Sequence, residues 1–184
     1  MKRVGILAGA FNPVTRAHVA LARAARPMVD EIVCVIPRSY PHKELHGASI
    51  AQRIEMLELA GLHDRLEITG SGLFIDIARV LGRPGDQLFF ICGADAAERV
   101  ITWDYGDPHA IDRMLEEFSL LVAPRAARFA APEHLRHRIQ EIPMPDGYEE
   151  ISSTEVRARL ASGAPWEHLT PDSIADLVRS IYAR

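Results

Sequence analysis

The sequence predicts an α/β fold built on a doubly wound, mostly parallel sheet. Six short apolar runs, each of a length suited to a buried strand, alternate with segments in which apolar residues recur at helical spacing. Such alternation favours βαβ units with right-handed crossovers. Three turn-rich segments directly follow apolar runs, and the carboxyl ends of parallel strands share one edge of a sheet. We therefore expect those three segments to meet there.

The first half of the chain predicts four strands and three helices. Val4–Ala8 is a continuous apolar run, as expected of a strand buried on both faces, and a helix should follow from about Thr15 or Arg16. Ser49 with a glutamine three residues later is a capping-box pattern, which predicts a helix from Ser49 to Gly61. The other elements of this half are strands at Glu31–Ile36, Leu66–Ile68 and Gln87–Cys92 and a helix at Phe74–Leu81.

The second half predicts two more strands and a small helical C-terminal part. Strands are expected at Ser119–Val122 and Ile139–Ile142, and helices at Ala110–Glu117 and Pro132–Arg138. A further helix should begin at Ser152 and end near Gly163, and another should follow the cap sequence at 170–172.

The composition is that of one folded, slightly acidic domain, which we expect to span residues 1–184. Hydrophobic residues make up 48% of the chain and charged residues 25%, close to the average of globular proteins. The formal net charge of -4 argues against a general nucleic-acid-binding protein, which needs a basic surface. No apolar run approaches membrane-spanning length and no leader pattern is present, so we expect a cytoplasmic protein without a membrane partner.

The residue types that most often bind metals do not form a metal-site pattern. Cys34 and Cys92 each lie in an apolar run, which is typical of small buried strand residues. Two histidine pairs have helical spacing, but neither has an acidic or cysteine third ligand at matching spacing. These pairs are His42 with His46 and His134 with His137. We expect no metal site formed by protein ligands.

The turn after the first predicted strand is a candidate phosphate site. A strand, a tight turn and a helix N-terminus together present backbone N–H groups and the positive end of a helix dipole. His18 lies in the first turn of that helix, within reach of the same anion. Taken alone, the turn is more typical of an ordinary strand-to-helix connection, with Asn12 and Pro13 as turn formers and His18 as a capping side chain.

A later helix start is the second candidate. Ser152 with Glu155 is a capping-box pattern, and by itself it explains the stretch as an ordinary helix start. In the functional interpretation, Ser152, Ser153 and Thr154 also offer hydroxyl donors to a ligand. Arg157, one turn further along the same face, adds a fixed positive fork for phosphate oxygens.

Together the two stretches resemble the signature pair of the nucleotidyltransferase superfamily, and within it the nicotinate or nicotinamide mononucleotide adenylyltransferases. The residues that carry this resemblance are Gly9, Phe11, Pro13, Thr15 and His18 in the first motif and Ile151, Ser152, Ser153, Thr154 and Arg157 in the second. Other matching segments follow in the family's order, at Pro41–Lys43, Arg53, Gly93–Asp95, Trp103 and Val122–Arg125. The resemblance implies a Rossmann-like sheet of the nucleotidyltransferase type.

The resemblance also implies a reaction, adenylyl transfer in NAD biosynthesis. The 5′-phosphate of a pyridine mononucleotide would attack the α-phosphorus of ATP, and pyrophosphate would leave. The protein would supply orientation and positive charge rather than a nucleophile. Mg²⁺ is implied as a cofactor held mainly by ATP phosphates and water. The expected partners are ATP and the mononucleotide, and a homo-oligomer is compatible with the sequence.

His18 and Arg157 are the two catalytic residues that the resemblance implies. His18 would contact the ATP phosphates, and Arg157 with Ser152 the β- and γ-phosphates. Asp95 would accept from a ribose hydroxyl, although a first-turn helix acid is an equally good interpretation. The implied ATP-binding set is Gly9, Ala10, Phe11, Thr15, His18, Gly93, Asp95, Ile151, Ser152, Ser153, Thr154 and Arg157.

Four residues are implied in binding the acceptor nucleotide. Lys43 would meet its phosphate, with Arg125 as a second candidate. Trp103 would stack on the pyridine ring, and a partly buried structural tryptophan is the competing interpretation. Phe74 would lie beside the ring. Arg53 is interpreted as a structural partner that holds the loop ending at Lys43.

Two departures from the family pattern leave the acceptor open. Thr15 and Ala17 stand where the bacterial nicotinate branch usually has His and Gly, which is closer to the nicotinamide branch. Leu73 and Phe74 stand where nicotinate enzymes usually have the Tyr-Thr pair that recognises the pyridine carboxylate. Two alternatives follow. One is another adenylyltransferase of the superfamily, such as a phosphopantetheine adenylyltransferase. The other is an ATP-binding sensor without turnover.

Overall fold

The computed structural model describes residues 1–40, 47–124, 129–148 and 150–183. Its strands are β1 (Arg3–Ala8), β2 (Glu31–Pro37), β3 (Arg65–Thr69), β4 (Gln87–Gly93), β5 (Ser119–Ala123) and β6 (Ile139–Glu141). Its α-helices are α1 (Arg16–Ala25), α2 (Ile50–Ala60), α3 (Phe74–Leu81), α4 (Ala94–Thr102), α5 (Ala110–Glu117), α6 (Ser153–Ser162) and α7 (Ala175–Tyr182). Short 3₁₀ segments lie at Arg26–Met28, Glu133–Arg138, Glu167–Leu169 and Asp172–Ile174.

The six strands form one parallel sheet in the order β3-β2-β1-β4-β5-β6. Every neighbouring pair in this sheet is parallel. The central strand β1 pairs with β2 on one side and with β4 on the other. The chain therefore builds outward from β1 to β3 and then returns to the other side of β1. This order confirms the predicted doubly wound α/β fold and puts its switch point between β1 and β4.

Side chains alternate between the two faces of the sheet and form two cores. On β2, Ile32, Cys34 and Ile36 pack into one core, and Val33 and Val35 into the other. The first core also takes buried residues of α1, α2, α6 and α7, and the second takes those of α3, α4 and α5. Helices thus cover both faces, which explains why the strands are continuously apolar.

The six predicted strands are confirmed to within one residue at each end. The helix from Ser49 is also confirmed, since the Ser49 hydroxyl accepts from the Gln52 amide at 3.2 Å and Gly61 ends α2 with a φ of 61°. Between 170 and 174 the structure differs slightly, because a 3₁₀ turn precedes α7. In the described part of the chain, no helix has the length and apolarity needed to cross a membrane.

Two helical segments differ from the prediction. Helix α4 was not predicted, because it begins directly at the end of β4 with Gly93 as its N-cap and no capping side chain. The predicted helix at Pro132–Arg138 is a 3₁₀ segment over Glu133–Arg138. It buries only Leu135, so there is no apolar face to favour further α-helical turns.

Candidate active site

A cavity of about 670 Å³ opens at the switch point of the sheet. Its walls come from the turn after β1, the first turn of α1, the ends of β4 and β5, and the start of α6. Its volume is in the usual range for a small-molecule site. All twelve residues of the predicted ATP-binding set line this cavity. The structure therefore brings the two sequence motifs together. A hydrogen bond joins Ser153 of the second motif to Pro13 of the first, although the two residues are 140 positions apart in the chain.

The turn after β1 is held in a conformation that few residues adopt. Phe11 has a φ of 48°, in the left-handed region, and only 1% of its surface is exposed. Its ring packs against the His18 ring with centroids 5.0 Å apart. A Cβ on Gly9 would lie 3.2 Å from the Phe11 ring, a tight contact, so a glycine at this position leaves room for the ring. Gly9, Ala10 and Phe11 all line the cavity.

Thr15 and His18 form a reciprocal cap at the start of α1. The Thr15 backbone amide donates to Nδ1 of His18 at 3.0 Å, and the Thr15 hydroxyl lies 2.9 Å from the same nitrogen. Because an amide N–H can only donate, Nδ1 is the acceptor and the neutral ring carries its proton on Nε2. Thr15 is fully buried, which fixes this arrangement.

Helix α6 is fastened to the turn by two side chains. The Ser153 hydroxyl donates to the Pro13 carbonyl at 2.7 Å, and Nη1 of Arg157 donates to the Asn12 carbonyl. The preceding residue, Ser152, caps the helix by accepting from the Glu155 amide at 3.1 Å. The N-terminus of α6 and a half-buried guanidinium therefore face the same cavity as the start of α1.

Asn12 links this turn to two distant parts of the chain. Its side-chain Oδ1 accepts from the Ala48 amide at 3.1 Å and from the hydroxyl of Tyr182 at the end of α7. Gly47 adjoins both groups, since a Cβ there would lie 2.9 Å from the Tyr182 ring and 3.0 Å from Asn12 Oδ1. The backbone of Gly47 also favours glycine, because its φ of 103° is one that residues with a side chain rarely adopt.

The end of β4 forms the opposite wall. Gly93, Asp95 and Arg99 line the cavity, the last two lying one turn apart on α4. Cys92 also lines it, and burial raises the pKa of its thiol to about 12, so the thiol stays protonated. Burial likewise raises the pKa of Cys34 to about 12. Both cysteines are buried and free, which confirms that they are small strand residues.

The predicted acceptor-binding residues are divided by the structure. Phe74 lines the cavity together with Tyr40 and Gly72, and one face of its ring stacks on Phe90 at 4.2 Å. Trp103 is not among the lining residues. It is 36% exposed and lines a separate shallow depression beyond α4. Its stacking role stays a prediction.

Two predicted residues, Lys43 and Arg125, lie outside the described residues, as do His42 and His46. In the ranges that the structure describes, no three residues among His, Cys, Asp and Glu are grouped to hold a metal ion. His134 lies 3.6 Å from the Asp112 carboxylate, in an exposed pair. Among the described residues that line the cavity, Asp95 carries a carboxylate.

Sequence reasoning missed several residues of the site. The cavity is also lined by Asn12, Tyr40, Cys92, Arg99, Pro124, Met144 and Tyr148. Recognition of α4 would have identified Arg99, four residues after Asp95 and therefore on the same helix face. The side-chain role of Asn12 had no local signal, because its partners are 36 and 170 residues away.

Comparisons with known proteins agree with this geometry. Residues 6–159 match the family model described as cytidylyltransferase-like. The chain is 33% identical to a probable nicotinate-nucleotide adenylyltransferase of Gloeobacter violaceus, over 98% of this chain and 96% of the relative. It is 34% identical to a protein of the same description from Bordetella pertussis, over 94% and 93%.

Solved structures show the same fold. Plasmodium falciparum nicotinic acid mononucleotide adenylyltransferase complexed with NaAD aligns with a TM-score of 0.71 and 20% identity, over 98% of this chain and 96% of that one. Its complex with APC gives a TM-score of 0.69 at 19% identity. The fold, the family model and the full-length relatives agree, so the chain belongs to the cytidylyltransferase-like family and, within it, to the family of its nicotinate-nucleotide adenylyltransferase relatives.

Proposed function

We propose that this protein transfers the adenylyl group of ATP to the 5′-phosphate of nicotinate mononucleotide, a step of NAD biosynthesis. One observation carries the proposal: the Thr15–His18 cap and the Ser152–Arg157 helix start face one cavity at the switch point of the sheet. Two helix N-termini and a guanidinium suit a polyphosphate. The names of the full-length relatives support nicotinate mononucleotide as the acceptor.

The reaction needs no protein nucleophile. An oxygen of the acceptor's 5′-phosphate attacks the α-phosphorus of ATP, the bond from that phosphorus to the bridging oxygen breaks, and pyrophosphate leaves with the electron pair. Catalysis then depends on holding both phosphates in line and on stabilising the charge that develops on the leaving group. Mg²⁺, held mainly by phosphate oxygens and water, would neutralise part of that charge.

Each assigned residue has a role that its contacts support. His18 donates from Nε2–H to a phosphate oxygen, because its Nδ1 is occupied by the Thr15 amide. Arg157, fixed on the Asn12 carbonyl, directs its remaining N–H groups to the β- and γ-phosphates, and Ser152 adds a hydroxyl at the same place. The Gly9–Phe11 backbone meets the α-phosphate, and Asp95 a ribose hydroxyl.

The acceptor nucleotide has a pyridine ring and a phosphate, and each needs its own contacts. Phe74 and Tyr40 give the pyridine ring an aromatic wall. Lys43 and Arg125, which lie outside the described residues, are the candidates for positive charge at its phosphate. The Tyr-Thr pair expected for a pyridine carboxylate is replaced by Leu73 and Phe74. The N-terminus of α3, which begins at Phe74, offers backbone amides to the carboxylate instead.

Pyrophosphate release tests the function. Purified protein is supplied with ATP and Mg²⁺ and, in parallel, with nicotinate mononucleotide, nicotinamide mononucleotide or phosphopantetheine. We expect kcat/KM to be highest with nicotinate mononucleotide and the product to be the matching dinucleotide. Preference for phosphopantetheine would identify a different adenylyltransferase. ATP binding without release of pyrophosphate in the presence of any of the three acceptors would identify a sensor.

A further inference from the structure

Arg53 is a buried positive charge that has no carboxylate beside it in the part of the chain that the structure describes. It lies in the second turn of α2, and only 5% of its surface is exposed. Its Nε atom is buried and makes no hydrogen bond with any described residue. No carboxylate in the described ranges contributes to its electrostatic environment. A charge removed from water costs several kcal/mol unless it is paired, so this side chain needs an explanation.

Within the described ranges, the charged side chain that acts on Arg53 is another cation, Arg157. Burial lowers the pKa of the Arg53 guanidinium, the hydroxyls of Tyr182 and Tyr40 oppose that shift, and the positive charge of Arg157 adds to it. Arg157 lines the cavity and donates to the Asn12 carbonyl, while Tyr182 donates to the Asn12 side chain. Arg53 is therefore an electrostatic neighbour of the residues on the Asn12 side of the cavity.

The described surroundings of Arg53 differ from those of a typical structural arginine. A structural arginine usually satisfies several of its five donors on carbonyls or carboxylates. Arg16 shows this behaviour in the same chain, with Nε on the Thr170 carbonyl at 3.0 Å and Nη2 on Asp172 at 2.8 Å. Among the described residues, Arg53 instead has two tyrosines and a second arginine as electrostatic neighbours, and none of them is a carboxylate.

We propose that the counter-charge of Arg53 is the phosphate of the bound nucleotides, which Arg53 attracts from behind the cavity wall without contacting them. Arg53 is not among the residues that line the cavity, so its effect acts through the electrostatic field. A field is strong across a buried, poorly solvated wall and weak in water. The inference rests on the proposed function only for the identity of the anions.

Removal of the Arg53 charge should affect the unfolding temperature and the affinity for ATP differently. Arg53→Met keeps the length of the side chain and removes its charge, so unfolding of the ligand-free protein should occur at an unchanged or higher temperature. The Kd for ATP should rise about tenfold. Arg53→Lys keeps the charge and should keep both values near those of wild type. Arg79→Met is the matched control, since it removes one charge from an exposed ion pair with Glu117.

Calorimetry with ATP, tripolyphosphate and nicotinate mononucleotide distinguishes the two sources of phosphate. Weaker binding of ATP and tripolyphosphate alone assigns the effect to the polyphosphate, and weaker binding of the mononucleotide alone assigns it to the acceptor. Unchanged affinities for all three ligands would overturn the proposal. So would a clearly lower unfolding temperature of both Arg53→Met and a second variant, Arg53→Gln. Binding is measured without turnover, so failure of the catalytic assignment would not affect this test.

Discussion

The backbone amide of Thr15 donates to Nδ1 of His18 over 3.0 Å, and this contact determines the tautomer of the imidazole. A neutral ring with an acceptor at Nδ1 carries its proton on Nε2. We predict that ¹⁵N NMR of the ligand-free protein at neutral pH shows His18 as the Nε2–H tautomer. Assignment of the proton to Nδ1 would contradict the described cap.

His18 should matter more for turnover than for binding. We expect His18→Ala to lower kcat about 10²–10³-fold, the usual loss for one preorganised donor, and to raise the KM for ATP only a few-fold. His109→Ala, at an exposed histidine outside the cavity lining, is the control and should leave both constants unchanged. Near-normal turnover of His18→Ala would remove His18 from the mechanism.

The Thr15 hydroxyl has a matched control in the same chain. Thr15 and Thr170 are both fully buried, and the Thr170 hydroxyl donates to the Glu167 carbonyl at 3.3 Å, away from the cavity lining. Replacing either by valine should cost about 1 kcal/mol of unfolding free energy, measured by urea denaturation. Only Thr15→Val should also lower kcat, about fivefold. Equal kinetic effects would mean that the hydroxyl does not position His18.

Arg157 should not tolerate replacement by lysine. One N–H group of its guanidinium donates to the Asn12 carbonyl, while the other N–H groups can donate to phosphate. The lysine ammonium lacks this planar arrangement of donors. We expect Arg157→Lys to lower kcat/KM for ATP by about 10²-fold. Arg159→Lys changes the same residue type in the same helix, at an ion pair with Glu155, and should have no kinetic effect. A similar loss in both variants would indicate damage to α6 instead.

Acid stability should depend on Asp30. Hydrogen bonds from the side chain and backbone of Arg3 lower the pKa of the Asp30 carboxyl to about 2, below its unfolded value of about 3.9. A lowered folded pKa stabilises the protein above about pH 4, and that contribution is lost as the pH falls through 2. Asp30→Asn should therefore flatten the decline in urea midpoint between pH 4 and 2. Arg3→Gln keeps the backbone hydrogen bond and should flatten the decline only in part, whereas Asp30→Asn curves parallel to wild type would contradict the prediction.

The parts that the sequence predicts are those with a local cause. Each buried strand is a continuous apolar run, and the predicted ATP-binding residues converge because strand ends and helix starts meet at one edge of a parallel sheet. Helix α4 was missed because it has neither a connecting turn nor a capping side chain. Arg53 was interpreted as a structural partner of the preceding loop. The sequence around Arg53 does not predict that it is buried near Arg157, because that arrangement depends on residues distant in the chain.

The hydrogen bond from Tyr182 to Asn12 joins residues 170 positions apart. During synthesis on the ribosome, the turn after β1 emerges first and cannot complete its contacts until α7 has left the exit tunnel. The conformation of the turn after β1 therefore depends in part on a helix that is synthesised long after it.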